Sequence, residues 1–416
     1  MNLLITNIKQ LVTMAGVAKK GGRKPQKEDL SIISNAALLI ENEKISWIGK
    51  NSEAKKFKKC KILDAAGTVI LPGLIDSHTH LIFAGSRHEE FAKRSEGQEH
   101  HKTYLEIAKE GGGILSTVRE TQKASLNTLI KLARARIQKA RSFGITTLEV
   151  KSGYGLSLKD ELKCLTALQK LSRTEKINLV STFMGAHDFP PEFKDNKDAY
   201  VELLCKVMIP QVAQKKLAEF CDVFIDEGFY TLSQTEKILK TAVTHGLRIR
   251  IHSDEFKPLG GTELAVSLKA KSVDHLMAVT EQGIEALAHS HTVATLLPGT
   301  SFFLGKSYAP ARKLIDAGAC VALGTDFNPG SSVTQNLLLM GTLAVTQMKL
   351  TLSETLSAMT YNAAKGLGQE GLIGSIEVSK QADLAFFDVP SYEYLLYHFG
   401  DNFCKKVIWR GKPAEF

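Results

Sequence analysis

The sequence predicts an α/β fold, a (β/α)₈ TIM-like barrel with a small β-sandwich domain built from both chain ends. Three observations predict it. Through the middle of the chain, apolar runs alternate with helical stretches, which is the βα rhythm of a parallel sheet. The candidate strands number eight: GLIDSHTHL, ITTLEVKSGYG, NLVSTFMGAH, CDVFIDEG, LRIRIHSDE, SVDHLM, HTVATLLPG and CVALGTDFNPGS. Most begin apolar and finish in ionisable or hydrogen-bonding residues, namely His78 and His80, Tyr154, His187, Glu227, His252 and Glu255, His275, and Asp326. That one-sided polarity is what a barrel requires, since its functional groups gather where strands end and loops begin. A doubly wound open sheet is the other arrangement such alternation allows.

At the N-terminal end, LLITNIKQLVTMA and AALLIENEKISWIG are short, branched or aromatic, and divided by turn residues; ADLAFFDV and KKVIWRG repeat that character at the other end. The expected division is therefore a β domain from residues 1–66 and 367–416, with the barrel over 67–366. A barrel takes about 250 residues, so a chain of 416 residues accommodates both. SLNTLIKLARARIQKARSFG exemplifies the helical stretches: Ser125 is a candidate N-cap, Leu126, Ile130, Ala133 and Ile137 share a face, and Gly144 follows the end.

Composition excludes several classes. With 44% hydrophobic and 23% charged residues the chain can bury a core, which argues against wholesale disorder, collagen and disulfide scaffolds. No apolar run approaches the roughly 20 residues of a membrane span, and Asn2, Asn7, Lys9 and Gln10 interrupt the first segment, so a cytoplasmic protein without membrane partners is expected. The net charge of +9 is concentrated in Lys19–Lys27 and Lys55–Lys61. Phe57 is the single aromatic residue within them, too few to stack successive bases, so these runs are expected to be solvated rather than to bind nucleic acid. The six cysteines lack any CxxC spacing and read as packing residues, Cys320 in its apolar AGACVALG setting included. Gly111–Gly113 precede no GK[ST] and read as a flexible loop near the site.

His78 and His80 are two apart, and on a strand residues i and i+2 point to the same side, so both imidazoles can converge on one cation. His252 and Asp326 each follow an apolar strand that brings them to the same rim. Three imidazoles and one carboxylate suit Zn²⁺ or Fe²⁺ better than Mg²⁺ or Ca²⁺, which prefer oxygen ligands throughout.

This set, PGLIDSHTH with a strand-5 histidine and a strand-8 TD, resembles the amidohydrolase superfamily. Within it, DSHTHLIFAGSRHEEF, GGGILSTVRET, EVKSGYGL, TFMGAHDFPPE, HSDEF and TDFNPGSS are similar to the imidazolonepropionase family, from about residue 72 to 332. The resemblance implies hydrolysis of the ring amide of 4-imidazolone-5-propanoate to N-formimidoyl-L-glutamate in histidine degradation. It also implies the barrel and β-sandwich, one Zn or Fe ion per subunit, and a homodimer. Two-metal relatives carry a modified lysine at the end of strand 4, which DVFIDEG lacks, so one metal is expected; Lys151, ending strand 2, reads as a structural salt bridge.

Glu255, three positions after His252, is the best-placed carboxylate to shuttle a proton. His275 either holds the attacking water, polarises the carbonyl, or is a buried structural histidine. By resemblance Arg87 anchors the substrate carboxylate through bidentate hydrogen bonds. Tyr154, His187, Asn328, Gly330 and Ser331 match further substrate-contacting positions, side-chain contact being expected for Asn328 where Gly330 also simply makes a turn. The alternative function is a metal-dependent aminohydrolase of a purine, a pyrimidine or formimidoylglutamate. A catalytically dead barrel serving assembly would have lost ligands, and all four are present.

Overall fold

The computed structural model describes residues 2–95, 106 and 112–415. Its strands form two sheets. In chain order they are β1 (Leu3–Val12), β2 (Ile32–Glu41), β3 (Lys44–Lys50), β4 (Lys61–Asp64), β5 (Val69–Pro72), β6 (Leu74–Asp76), β7 (Ile145–Lys151), β8 (Asn178–Ala186), β9 (Phe220–Ile225), β10 (Arg248–Ser253), β11 (Ser272–His275), β12 (Val293–Leu296), β13 (Cys320–Leu323), β14 (Leu384–Phe387), β15 (Cys404–Trp409) and β16 (Lys412–Ala414).

Strands β6 to β13 pair in sequence order, each parallel to the next. These are the eight strands expected. The circle is joined just past the strand ends by a Thr79–Phe327 bridge, where Asp326 N donates to His78 O at 3.0 Å and His80 N donates to Phe327 O at 2.9 Å. The first and last barrel segments thus meet where the candidate ligands lie.

The second sheet runs β16-β15-β14-β5-β1-β2-β3, with β4 also parallel to β1. Strand β5 lies past the expected boundary at residue 66, yet pairs with β1 and β14, so the terminal sheet draws its N-terminal share from residues up to Pro72. Side chains alternate between its faces. Leu384, Phe386 and Ile408 join Leu3, Ile5, Ile8, Leu38 and Ile40 in a core of the sheet's own, while Ala385, Phe387 and Val407 join the barrel's core. A register shift between Ile5 and Ile8, with Asn7 at φ 56°, keeps both isoleucines on the inner face despite their odd spacing.

Helix Leu126–Ser142 starts as expected, with Ser125 Oγ accepting from Thr128 N at 3.1 Å. Its buried stripe is Leu129, Ala133, Ile137 and Ala140, whereas Leu126 and Ile130 flank it half-buried. The expected face was therefore offset at its first turns. The basic run at Lys19–Lys27 is not solvated throughout either. Arg23 donates to the carbonyls of Ala288, Ser290 and Gly318, tethering the segment to the loops that enter β12 and β13, at the end of the barrel away from the ligands. All six cysteines are free, and burial pushes the Cys320 thiol up to about 11, in keeping with packing. Among the described residues, no helix is long and apolar enough to cross a membrane.

Candidate active site

His78 and His80 leave β6, and each meets a group from another strand. A carboxylate can only accept, so Asp274 Oδ2, 2.7 Å from His78 Nδ1, fixes the proton there and leaves Nε2 as a lone pair. Asp222 Oδ1 does the same at 3.0 Å for His252 Nδ1. His78 Nε2 and His80 Nε2 each lie 3.5 Å from Asp326 Oδ1, and His252 Nε2 lies 3.3 Å from His80 Nε2. His78 Nε2 is buried without a hydrogen-bond partner. Imidazole lone pairs converging on each other and on a carboxylate oxygen are mutually unfavourable unless a cation lies between them, so the donor set fits a metal with nitrogen preference.

Asp326 takes the left-handed φ of 51° and is braced on both sides. Thr300 Oγ1 donates to its Oδ2 at 2.5 Å, and Asp76 grips the preceding Thr325 through N at 2.9 Å and Oγ1 at 2.6 Å. Burial pushes the Asp326 carboxyl up to about 7 and holds the three imidazoles well below their usual range. The imidazoles are accordingly neutral, the form that ligates metal.

Glu255 lies on the loop after β10, and its Oε2 is 3.6 Å from Nε2 of His275, which ends β11 with φ 82°. Burial, helped by the charges of Asp326 and Asp226, raises the Glu255 carboxyl well above the ordinary range, and burial lowers His275 to about 4. A buried carboxyl with a high proton affinity, facing the ligand cluster, is equipped to take and return a proton. The Glu255 loop is held from β9: Asp226 accepts from Phe256 N at 2.7 Å and Lys257 N at 3.1 Å. Glu227, expected at the rim, is instead exposed, and its neighbour Asp226 is the one turned inward. The strand ends one residue before Asp226, so the turn reverses the expected facing.

Tyr154, His187, Phe224, Ile114, Asn328 and Ser331 line the same recess as His80, His252, Glu255, His275 and Asp326. His187 stacks on His80 with centroids 4.9 Å apart and donates Nδ1–H to Gly153 O at 3.0 Å. The loop carrying Tyr154 is held by the buried Glu161, which accepts from the backbone N–H groups of Gly153, Gly155 and Leu156. Asn328 builds its own turn. Its Oδ1 accepts from Gly330 N and Ser331 N, both at 2.8 Å, and its Nδ2 donates to Asp326 O at 2.7 Å. Gly330 is more than a turn residue: a Cβ there would lie 2.0 Å from Arg87 Nη1, so glycine is what admits the guanidinium. Arg87 is buried, with Nε donating to Glu90 at 2.8 Å. It lines an adjoining recess with Phe83, Phe327 and Gly330 rather than the ligand-lined one. Gly111 lies outside the described residues; Gly113 opens a helix to Lys123 whose Ile114 reaches the site.

Beneath the ligands lie charged side chains that sequence reading passed over: Glu149, Asp222, Arg250 and Asp274, all fully buried. Lys151 joins them as the salt bridge expected of it, 2.9 Å from Glu149 and 2.8 Å from Asp222. Asp222, His252 and Asp274 are close enough to hold a cation of their own, and the Lys151 ammonium already serves them. The available signal was spacing: Glu149 and Lys151 flank Val150, and Arg250 and His252 flank Ile251, as i, i+2 pairs.

A sequence model of the Amidohydrolase family matches residues 69–413. The chain is 45% identical over 415 residues to an imidazolonepropionase of Geobacillus sp. (strain WCH70), covering 99% of this chain and 97% of that protein. It is 46% identical over 418 residues to an imidazolonepropionase of Bdellovibrio bacteriovorus, covering 100% and 97%. Among solved structures, a zinc-bound adenosine deaminase from Xanthomonas campestris superposes with a TM-score of 0.74 at 17% identity, covering 99% of this chain and 92% of that one, a likeness of fold.

Proposed function

The chain belongs to the imidazolonepropionase family of the amidohydrolases, and from that membership we propose that it hydrolyses the ring amide of 4-imidazolone-5-propanoate to N-formimidoyl-L-glutamate, a step of histidine degradation. The observation that carries this reading is the meeting of His78, His80, His252, Asp326 and Glu255 around one buried recess, with Arg87 held on its flank.

In this reading His78, His80, His252 and Asp326 hold one Zn²⁺ or Fe²⁺ per subunit. A cation held there would lower the pKa of a water toward the neutral range and so supply hydroxide near neutral pH. Glu255 takes the water's proton as the oxygen adds to the ring carbonyl carbon. The ring carbon–nitrogen bond then breaks, and Glu255 returns the proton to the departing nitrogen. His275, its Nε2 3.6 Å from Glu255, either orients the water or polarises the carbonyl. Arg87 anchors the propanoate, while Tyr154 and His187 offer a hydroxyl and an imidazole to the ring. Asn328, Gly330 and Ser331 form the turn that closes the pocket, Gly330 by making room for Arg87 and Ser331 by lining the recess. The same family expectation gives a cytoplasmic homodimer, which sedimentation and cell fractionation check.

The test is to add metal-loaded protein to freshly made imidazolonepropionate and follow its ultraviolet absorbance. Loss of absorbance with matching formation of formimidoylglutamate is expected. Ammonia release without formimidoylglutamate would move the chain to the aminohydrolases.

A further inference from the structure

Glu149 and Lys151 from β7, Asp222 from β9, Arg250 from β10 and Asp274 from β11 place three carboxylates and two cations in the buried interior of the barrel. Buried charges of this kind contribute little net stability, because desolvation consumes most of the Coulombic gain. Their arrangement therefore calls for another explanation. Lys151 Nζ is 2.8 Å from Asp222 Oδ2, 2.9 Å from Glu149 Oε1 and 3.7 Å from Asp274 Oδ2. Arg250 Nη2 is 3.0 Å from Asp274 Oδ2 and donates to Ser77 O at 2.7 Å. Lys151 thus grips one oxygen of Asp222, while the other, Oδ1, receives both the Nδ1–H of His252 at 3.0 Å and its backbone N–H at 3.2 Å.

We propose that Lys151 is a positioning residue for the cation centre: its ammonium fixes the Asp222 carboxylate, and with Arg250 that of Asp274, so that His252 and His78 present Nε2 toward the metal. The inference rests on the reading of His78 and His252 as ligands. Without the ammonium, Arg250 alone is left to offset Asp222, Glu149 and Asp274, and the excess of like charges at this range loosens the Asp222 carboxylate from the orientation that His252 needs. A lysine that served folding alone would leave the metal affinity of the folded protein untouched.

Zn²⁺ affinity, measured by chelator competition on the whole chain, tests this. Lys151→Met is expected to weaken Zn²⁺ binding about 10- to 100-fold, the usual worth of an outer partner of a metal-ligating histidine. Asp222→Asn should fall in the same range. The paired variant Lys151→Met/Asp222→Asn removes one charge of each sign and leaves the net charge of the interior unchanged, which guards against a single variant that does not fold. If Lys151 acts through Asp222, the pair binds Zn²⁺ within about threefold of Asp222→Asn alone, because coupled effects do not add. Affinity within twofold of the unsubstituted protein, in Lys151→Met or in the pair, overturns the proposal. His252→Ala separates the two levels. Unchanged affinity in that variant overturns the ligand reading itself, whereas lost affinity there with none lost in Lys151→Met overturns only the positioning role.

Discussion

Under the terminal sheet the side chains that meet are apolar, Leu3, Ile5, Ile8, Leu38 and Ile40 with Leu384, Phe386 and Ile408; buried inside the barrel stand Glu149, Lys151, Asp222, Arg250 and Asp274. The first arrangement contributes by area, at about 25 cal/mol per Å² of apolar surface removed from water. The second forgoes that gain. Its return is geometric, since each charge is tied to a neighbour and two of the carboxylates end on candidate ligands. One molecule therefore holds a region where stability follows from packing and a region where packing has given way to the placement of a few atoms.

The sharpest way to break this contrast is Glu255→Gln. It keeps size and hydrogen-bonding capacity but cannot accept a proton, so kcat should fall by about 10² to 10⁴ while metal content and Tm stay unchanged. Loss of metal would make Glu255 a ligand or ligand support, and a near-normal kcat with metal retained would shift proton transfer to another group, His275 first. Leu38→Ala, in the fully buried core of the terminal sheet, should do the opposite. It is expected to cost about 2–5 kcal/mol in denaturant unfolding and to leave kcat and KM of the folded protein unaltered. A catalytic defect there would show that the sheet and the site are coupled. The smallest effect concerns the pocket's flank. Because a Cβ at Gly330 meets Arg87 Nη1 at 2.0 Å, Gly330→Ala should displace the guanidinium and raise KM about tenfold, with kcat within a few-fold. Arg87→Ala should raise KM at least as far. A normal KM in both variants would reject the anchor role.

The eight barrel strands were legible because they are apolar runs spaced by helical stretches, most of them ending in polar residues, and so were the histidines and Asp326 at their ends. What escaped was facing. In β7, β10 and β11 the inward residues include charges, Glu149, Arg250 and Asp274, for which an apolar core pattern has no place, whereas Lys151 and His252 stand out at or near the strand ends. Past a strand end the alternation no longer applies, which is why Asp226 rather than Glu227 faces inward. The contact between Gly330 and Arg87 joins loops about 240 residues apart and leaves no local trace. Strands β4, β5 and β16, three or four residues each, are too short to show a period.

In the proposed function, His78, His80, His252 and Asp326 together hold one catalytic cation. Elemental analysis of the purified, extensively dialysed protein, with ring-opening activity followed as Zn²⁺ or Fe²⁺ is stripped and restored, tests it most directly. About one ion per chain is expected, with activity lost and regained in proportion to it. Full activity in metal-free protein, or two ions per chain in every preparation, would contradict it.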